Sequence, residues 1–155
     1  MNIICRLFVV AIIMGLLAAC SLFSASKPDH TEALNASVAT YRKHIRWGYF
    51  DEAAKYLRTR DGKPVQADLA HAARYRVTGY TITDQLVADT GTEARVIALI
   101  EYYEIDSGVI HSLHDEQLWW YDVKTEHWYL ASPLPAFGQG DAAPAVSPAA
   151  SSPGR

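Results

Sequence analysis

The densest group of potential metal ligands in the chain is segment 111–116, which contains two histidines and two acidic residues. Imidazole and carboxylate groups are common ligands of transition metals, so this composition would suit a metal site. Side chains alternate between the two faces of a regular strand, which places His111 and His114 on opposite faces. Only a bulge would bring both imidazoles to one ion. We therefore predict no metal site and no cofactor, but a half-exposed strand with polar residues at a bend.

A second group that could do chemistry is the pair Asp122 and His127, which flanks a short polar stretch. A carboxylate that orients an imidazole is half of a general-base arrangement. No Ser or Cys lies at a spacing that would supply a nucleophile beside it. The pair predicts a cross-strand polar contact next to a tight turn, with general-base catalysis as the alternative.

The N-terminal segment has the pattern of an export signal. Arg6 provides a positive charge, residues 7–19 are apolar, and Ala18-Ala19 form a small-residue exit. The apolar run is shorter than the roughly 18–20 residues of a membrane-spanning helix, so we expect cleavage rather than retention. Cys5 lies inside this signal, which leaves Cys20 as the single cysteine of the mature chain and excludes an internal disulfide.

Composition limits the class of protein. Half of the chain is apolar and a fifth is charged, which indicates a globular domain, and the net charge of −3 argues against nucleic acid as a partner. Segment 42–76 holds nine Lys and Arg against four Asp and Glu, whereas segment 77–130 holds two against ten. The basic segment could face anionic headgroups or envelope polymers, or it could be an ordinary solvated helix face.

Helical periodicity dominates the first half of the chain. Apolar residues recur every three or four positions from 34 to 45, which predicts a helix over 31–47 that ends at Gly48. Asp29 and Glu32 have the spacing of a capping box at its start. Two further short helices are predicted, one capped by Asp51 and one from Pro64 to about Ala73.

Strand-like alternation takes over near residue 77. The predicted strands are 77–87, 93–105 and 109–123, with a short final strand that ends at Leu130. The run 96–100 is apolar at every position, which predicts a central strand covered on both faces. The alternation lapses at 114–117, so a bend or bulge is expected there.

The last hairpin allows a prediction of register. If residues 123–126 form its loop, one face carries Trp119, Tyr121, Trp128 and Leu130, and the other carries Trp120, Tyr129 and the pair of Asp122 and His127. The first face can pack on the helices. The second also carries large rings, so a loop, a second subunit or a ligand should cover it. The candidate pocket or interface residues are Trp47, Tyr80, Tyr102, Trp120, Tyr129, Asp122 and His127.

The stretch Leu17-Ala18-Ala19-Cys20 resembles the lipobox of bacterial lipoproteins, in which the cysteine becomes the acylated N-terminus. The resemblance implies removal of residues 1–19, lipidation at Cys20 and a membrane tether over 20–30. In Gram-negative lipoproteins an Asp after the cysteine resembles an inner-membrane retention signal. Ser21 stands there instead, which implies the outer membrane, on its periplasmic side.

The predicted order, with helices first and then an antiparallel sheet of long strands, is typical of the α+β class. Segment 47–54, the long pair 93–105 and 109–123, and the aromatic run 120–130 resemble the nuclear transport factor 2-like superfamily, whose roll is shared with ketosteroid isomerase. More narrowly, the chain is similar to small bacterial lipoproteins of unassigned function with that fold. The resemblance implies an α+β roll over 31–134, with N-terminal helices on a strongly bent antiparallel sheet of about four strands. Composition predicts a disordered Ala/Pro/Ser tail over 135–155.

The superfamily includes isomerases, dehydratases, binding modules and assembly domains, so the fold does not choose a function. Its enzymes place Asp, Tyr or His in the mouth of the cone, and no residue here aligns with a ketosteroid-isomerase-type Asp base. We therefore expect a non-enzymatic envelope lipoprotein that binds a protein partner, a second copy or a small apolar ligand. The alternatives are an isomerase or hydrolase acting in the cone, and a structural accessory of a secretion or assembly complex.

Overall fold

A computed structural model describes residues 30–139, and its longest helix, α1, spans Thr31–Trp47 as the apolar periodicity predicted. One side of α1 is fully buried at Leu34, Val38, Tyr41 and Ile45. The helix ends at Gly48, whose φ of 74° lies in the left-handed region that glycine adopts without a Cβ clash. Its N-cap is His30, with no side-chain cap, and Asp29 of the predicted capping box lies outside the described residues.

Two short helices follow, and both differ in detail from the sequence prediction. Helix α2 spans Phe50–Ala54, so Asp51 lies in its first turn rather than at its cap. Helix α3 spans only Leu69–Ala72 and is capped by Asp68, whose carboxylate accepts from the His71 amide at 2.9 Å. The predicted start at Pro64 was wrong, because the stretch before α3 pairs as extended backbone with the segment after α2.

The second half forms one antiparallel sheet in the order β1-β2-β3-β4. The fold is therefore α+β, with a four-strand antiparallel open sheet. Strand β2 is central, as predicted. Its inner residues, such as Val96 and Ile100, are buried, but Ile97 and Leu99 on the outer face are only half-buried, so the prediction of full cover on both faces was wrong. The strands span Tyr75–Val87 (β1), Glu93–Glu104 (β2), Ile110–Asp122 (β3) and His127–Leu130 (β4).

The bulge expected at 114–117 is absent. Strand β3 pairs with β2 in unbroken register from Trp120 to Ile110. The irregularities lie instead in β1, between Val77 and Gly79 and between Ile82 and Asp84. Because β3 keeps a strict two-residue period, its polar residues at odd positions point to the same side as Trp119.

The last hairpin has the predicted register, with Trp119 opposite Leu130, Trp120 opposite Tyr129, Tyr121 opposite Trp128 and Asp122 opposite His127. Trp119, Trp128 and Leu130 are buried in the core against α1. At the start of α1, the His30 ring stacks on Tyr121 at 3.8 Å. The N-cap of the helix therefore contacts the face of the hairpin that the alternation assigned to the core.

The core extends past the last strand. Phe137 is fully buried and packs against Tyr75, Tyr102 and Phe50, with ring centroids 5.1–5.8 Å apart. Gly138 follows with a φ of 75°, where an added Cβ would clash with the Tyr75 hydroxyl. The predicted domain boundary at residue 135 was therefore placed too early, since a ring beyond two prolines belongs to the folded domain.

Several predictions fall outside residues 30–139: the signal over 1–19, the acylated cysteine, the tether as far as residue 29 and the tail from residue 140. In the part of the chain that is described, no helix combines the length and the apolar character needed to cross a membrane.

Candidate functional site

A chain of hydrogen-bonded polar side chains runs along the inner face of β3, which packs on α1. Gln117 is fully buried, and its amide nitrogen donates to Asp115 Oδ2 at 2.6 Å and to the hydroxyl of Tyr80 on β1. Its amide oxygen accepts from the Trp119 indole at 3.2 Å. Asp115 is only 8% exposed, so this carboxyl lies among aromatic and apolar side chains.

Burial changes the protonation behaviour of this network. Loss of solvation raises the pKa of Asp115 to about 6, and the hydrogen bond from Gln117 opposes that rise only in part. Burial also raises the pKa of Tyr80 and of Tyr41, and the Asp115 charge adds to both increases. A carboxyl that titrates near neutral pH beside two phenols has the properties of a general acid or base.

A buried phenol next to the network makes no hydrogen bond within the described part of the chain. The Tyr41 hydroxyl is buried and has no hydrogen-bond partner among residues 30–139, and its ring packs edge-on against Trp119 at 5.6 Å. We expect Tyr41→Phe to raise the free energy of unfolding by about 1 kcal/mol, because it removes an unsatisfied buried group and keeps the ring. Urea unfolding will measure the change, with Tyr49→Phe, at a 54% exposed ring, as the neutral control. A loss of stability in Tyr41→Phe would show that the hydroxyl has a bonded partner.

The histidine-rich segment does not converge on one point. His111 lies opposite the inner-face residue Tyr102, whereas His114 lies opposite Leu99 of the outer face, and both histidines are exposed. Within residues 30–139 no cluster of three or more metal-ligating side chains is present. Asp115 is the acidic residue of this segment that belongs to the hydrogen-bonded network. Its burial was not predicted from the sequence, because a bend was expected at 114–117.

Asp122 and His127 lie opposite each other, but each bonds to the turn between them. The Asp122 carboxylate accepts from the Lys124 amide at 2.9 Å. A ring nitrogen of His127 contacts the Thr125 carbonyl at 3.0 Å. The two side chains therefore stabilise the loop, and the arrangement does not orient the imidazole as a general base.

The second aromatic face of the hairpin is covered by the protein's own loop after α2. Trp120 is 7% exposed, packs on Tyr129 at 5.5 Å and donates through its indole to the Arg58 carbonyl at 3.3 Å. The loop is held along β4 by backbone bonds from Arg58 to Leu130 and from Leu130 to Tyr56, at 3.0 and 2.7 Å. Of the three covers considered from the sequence, a loop is the one observed.

A surface cleft of about 460 Å³ lies between α1, α2 and β4. The half-buried Tyr129 and the exposed His127 form one wall, which brings two sequence candidates together. Helix α1 contributes His44, Thr40 and Ser37 to the opposite wall. The lining also includes Ala36, Glu52, Lys55, Tyr56, Arg58 and Trp128.

A second cleft, of about 430 Å³, lies along another face of α1, toward the C-terminal end of the helix. Trp47, which is 69% exposed, and Tyr80 line it together with Arg42, Lys43 and Arg46. Arg46 donates to the Val77 carbonyl at 2.6 Å, which ties this end of the helix to β1. Part of the predicted basic face is therefore a solvated cleft with one exposed indole.

Tyr102, the remaining sequence candidate, belongs to the core. It is 3% exposed, and its hydroxyl accepts from the Gly138 amide at 3.1 Å. Sequence reasoning missed Asp115 and Gln117, although extending the alternation back from Trp119 would have placed both inward. It also missed His44 and Arg58, for which no local signal exists because the cleft joins segments distant in sequence.

Comparison with known proteins adds no assignment to this geometry. The chain matches no family model, no curated protein and no solved structure.

Proposed function

We propose that this chain is a lipid-anchored binding protein of the bacterial cell envelope, with a non-enzymatic domain that takes its ligand in the cleft between α1, α2 and β4. The observation that carries the proposal is the cleft itself, about 460 Å³ in volume, with aromatic and polar walls. A volume of this size suits a small molecule, and a few fixed polar groups among aromatic walls are typical of ligand sites. The polar lining favours a polar ligand over the apolar one expected from the sequence.

The membrane anchor is the second part of the proposal. The stretch Leu17-Ala18-Ala19-Cys20 supports it, as does the single cysteine left after a signal over 1–19. Two or more acyl chains give stable membrane binding, at about 0.8 kcal/mol per buried methylene. The α+β order of helices on one face of an antiparallel sheet is also compatible with the nuclear transport factor 2-like roll that the sequence resembles.

Cys20→Ser is expected to abolish acylation. Intact-mass and N-terminal peptide measurements on the wild-type chain should show a chain that begins at Cys20 and carries acyl groups, because a thioether requires the thiol. The Ser variant should carry none. Cys5→Ser serves as the matched control and should be acylated like the wild type. An unmodified Cys20 thiol in the wild-type product would refute the anchor and leave the cleft proposal to be tested on its own.

The cleft is tested by blocking it. Ala36 is an exposed lining residue of α1, so Ala36→Trp should fill the cleft without disturbing the core. Ser112→Trp, at an exposed position of β3 outside this lining, is the control. Ligand-observed NMR of a mixed fragment library should yield ligands of the wild type that Ser112→Trp retains and Ala36→Trp loses. Fragments that bind all three proteins equally would contradict the assignment of the site.

A second candidate function, a small-molecule isomerase, is favoured by one observation. Asp115 is a buried carboxyl with a pKa raised to about 6, within one network with Tyr80 and Gln117. However, it lines neither the cleft between α1, α2 and β4 nor the basic cleft around Arg42. Solvent-deuterium exchange at the α-carbon of a panel of ketones distinguishes the functions: an isomerase accelerates it and loses that activity in Asp115→Asn, whereas a binding protein leaves the buffer rate unchanged.

A further inference from the structure

The charges that line the cleft between α1, α2 and β4 do not balance. Lys55 and Glu52 pair with each other at 2.5 Å, which neutralises both. Arg58 has no carboxylate within ion-pair distance anywhere in residues 30–139. Since Arg keeps its charge at any ordinary pH, the cleft holds one uncompensated guanidinium.

That guanidinium is held in place while most of its donors are unused. One terminal nitrogen donates to the Gly62 carbonyl at 3.1 Å, and the group lies over the Tyr129 ring, 5.0 Å from its centroid. Its Nε is buried and has no acceptor in the part of the chain that the structure describes. Arg has five N–H donors in a planar fork that matches a carboxylate or a phosphate, and a fork fixed in advance loses little entropy on binding. A guanidinium that is held in place in a cleft, without a carboxylate partner among residues 30–139, is suited to bind an anion.

The opposite wall adds further donors and an aromatic surface. His44 on α1 has a buried ring nitrogen that has no hydrogen-bond partner among residues 30–139, and Ser37 lies two turns earlier on the same wall. Tyr56 and Tyr129, which are both half-buried, line the remainder. Aromatic faces of this kind suit the planar or sugar body of a small molecule. The single carboxylate in the lining, Glu52, is already paired with Lys55.

We infer that the cleft is an anion site in which Arg58 binds the carboxylate or phosphate of a small polar molecule, such as an acidic sugar. This inference rests on the proposed function and specifies its ligand class. It is distinct from the basic cleft around Arg42, where three cations surround an exposed indole. The two clefts therefore provide an internal comparison between a fixed site and a diffuse basic surface.

The experiment uses the full chain in neutral detergent and ligand-observed NMR with three probes: glucuronate, inorganic phosphate and glucose. Glucuronate and phosphate should bind, and glucose, the uncharged match of glucuronate, should bind at least tenfold more weakly. Arg58→Gln should weaken glucuronate binding about tenfold or more, because it removes a charge-assisted bidentate contact. Arg42→Gln should change it less than twofold. If Arg58→Gln does not fold, His127→Gln tests the same wall of the cleft, because His127 is exposed. This variant should weaken glucuronate binding several-fold.

The inference is overturned if glucose binds as well as glucuronate, if Arg42→Gln weakens binding as much as Arg58→Gln, or if neither anion binds. In that case, neutral fragments that bind the wild type but not Ala36→Trp would still support the proposed function. Failure of the anion inference can therefore be distinguished from failure of the proposed function. Competition between glucuronate and phosphatidylglycerol vesicles for the Cys20→Ser chain identifies the source of the anion. If the vesicles compete with glucuronate, the natural anion is a lipid headgroup. If they do not, it is a soluble molecule.

Discussion

Asp115→Asn is expected to stabilise the folded domain by about 3 kcal/mol above pH 7 and by almost nothing below pH 4. The carboxyl is buried, and its pKa rises from 3.8 in the unfolded chain to about 6 in the fold. The stability that the neutral carboxyl provides is therefore fully present below pH 4 and is lost as the pH rises through 6. Asn stays neutral at every pH and can still accept the hydrogen bond from Gln117.

Urea unfolding of both proteins at intervals from pH 4 to pH 8 measures the effect. All other titrating groups are common to the pair, so the difference in the free energy of unfolding isolates Asp115. Asp106→Asn, at an exposed turn position, is the matched control and should change stability by less than about 0.5 kcal/mol. A difference for Asp115→Asn that is constant from pH 4 to pH 8 would mean that this carboxyl keeps its ordinary pKa in the fold.

This result would also bear on function. A buried ionisable group that lowers stability at neutral pH is the kind of feature that functional sites retain against local rules of packing. If Asp115→Asn is more stable and binds anions like the wild type, the network is independent of the cleft. If anion binding falls as well, the buried network and the cleft are coupled through α1, which contacts both.

Trp120→Ala is expected to lower the free energy of unfolding by about 3–5 kcal/mol, the usual range for removing a buried indole. The ring packs between Tyr129 and the loop that carries Arg58, and its N–H bonds to the Arg58 carbonyl. Its removal leaves a cavity, and an Arg58 carbonyl without its hydrogen bond, beneath the loop that joins α2 to α3. The loop that covers β4 should loosen with it.

The matched control is Trp47→Ala, because Trp47 is 69% exposed where Trp120 is 7% exposed. The control should change stability by less than about 0.5 kcal/mol. Urea midpoints with an unchanged slope give both values. If the free energy of unfolding of Trp120→Ala were within about 1 kcal/mol of the wild-type value, the ring would not be part of the core. The interface predicted from the aromatic alternation would then be supported. The double variant Trp120→Ser with Tyr129→Ser should likewise unfold more readily, since Trp120 is buried and Tyr129 packs on it.

The sequence by itself determined the elements and much of their pairing. The helix over 31–47 and the hairpin register followed from periods of 3.6 and two residues, which need only local spacing. The central position of β2 followed from the continuous apolar run at 96–100. The same alternation, continued from Trp119, would have placed Gln117 and Asp115 inside. The expected bulge interrupted that reasoning, because a run of polar residues in a strand is ordinarily a sign of exposure.

Only the tertiary structure decided what those residues meet. Gln117 is buried because Tyr80, Asp115 and Trp119 satisfy its amide, and the Tyr80 contact comes from a strand that is not adjacent to β3. Phe137 joins the core because rings from β1, β2 and α2 surround it. Arg58 lies unpaired in a cleft because α1 and β4, far apart in sequence, form its walls. Periodicity assigns a side chain to a face, whereas its solvation and its charge balance depend on partners that no local spacing specifies.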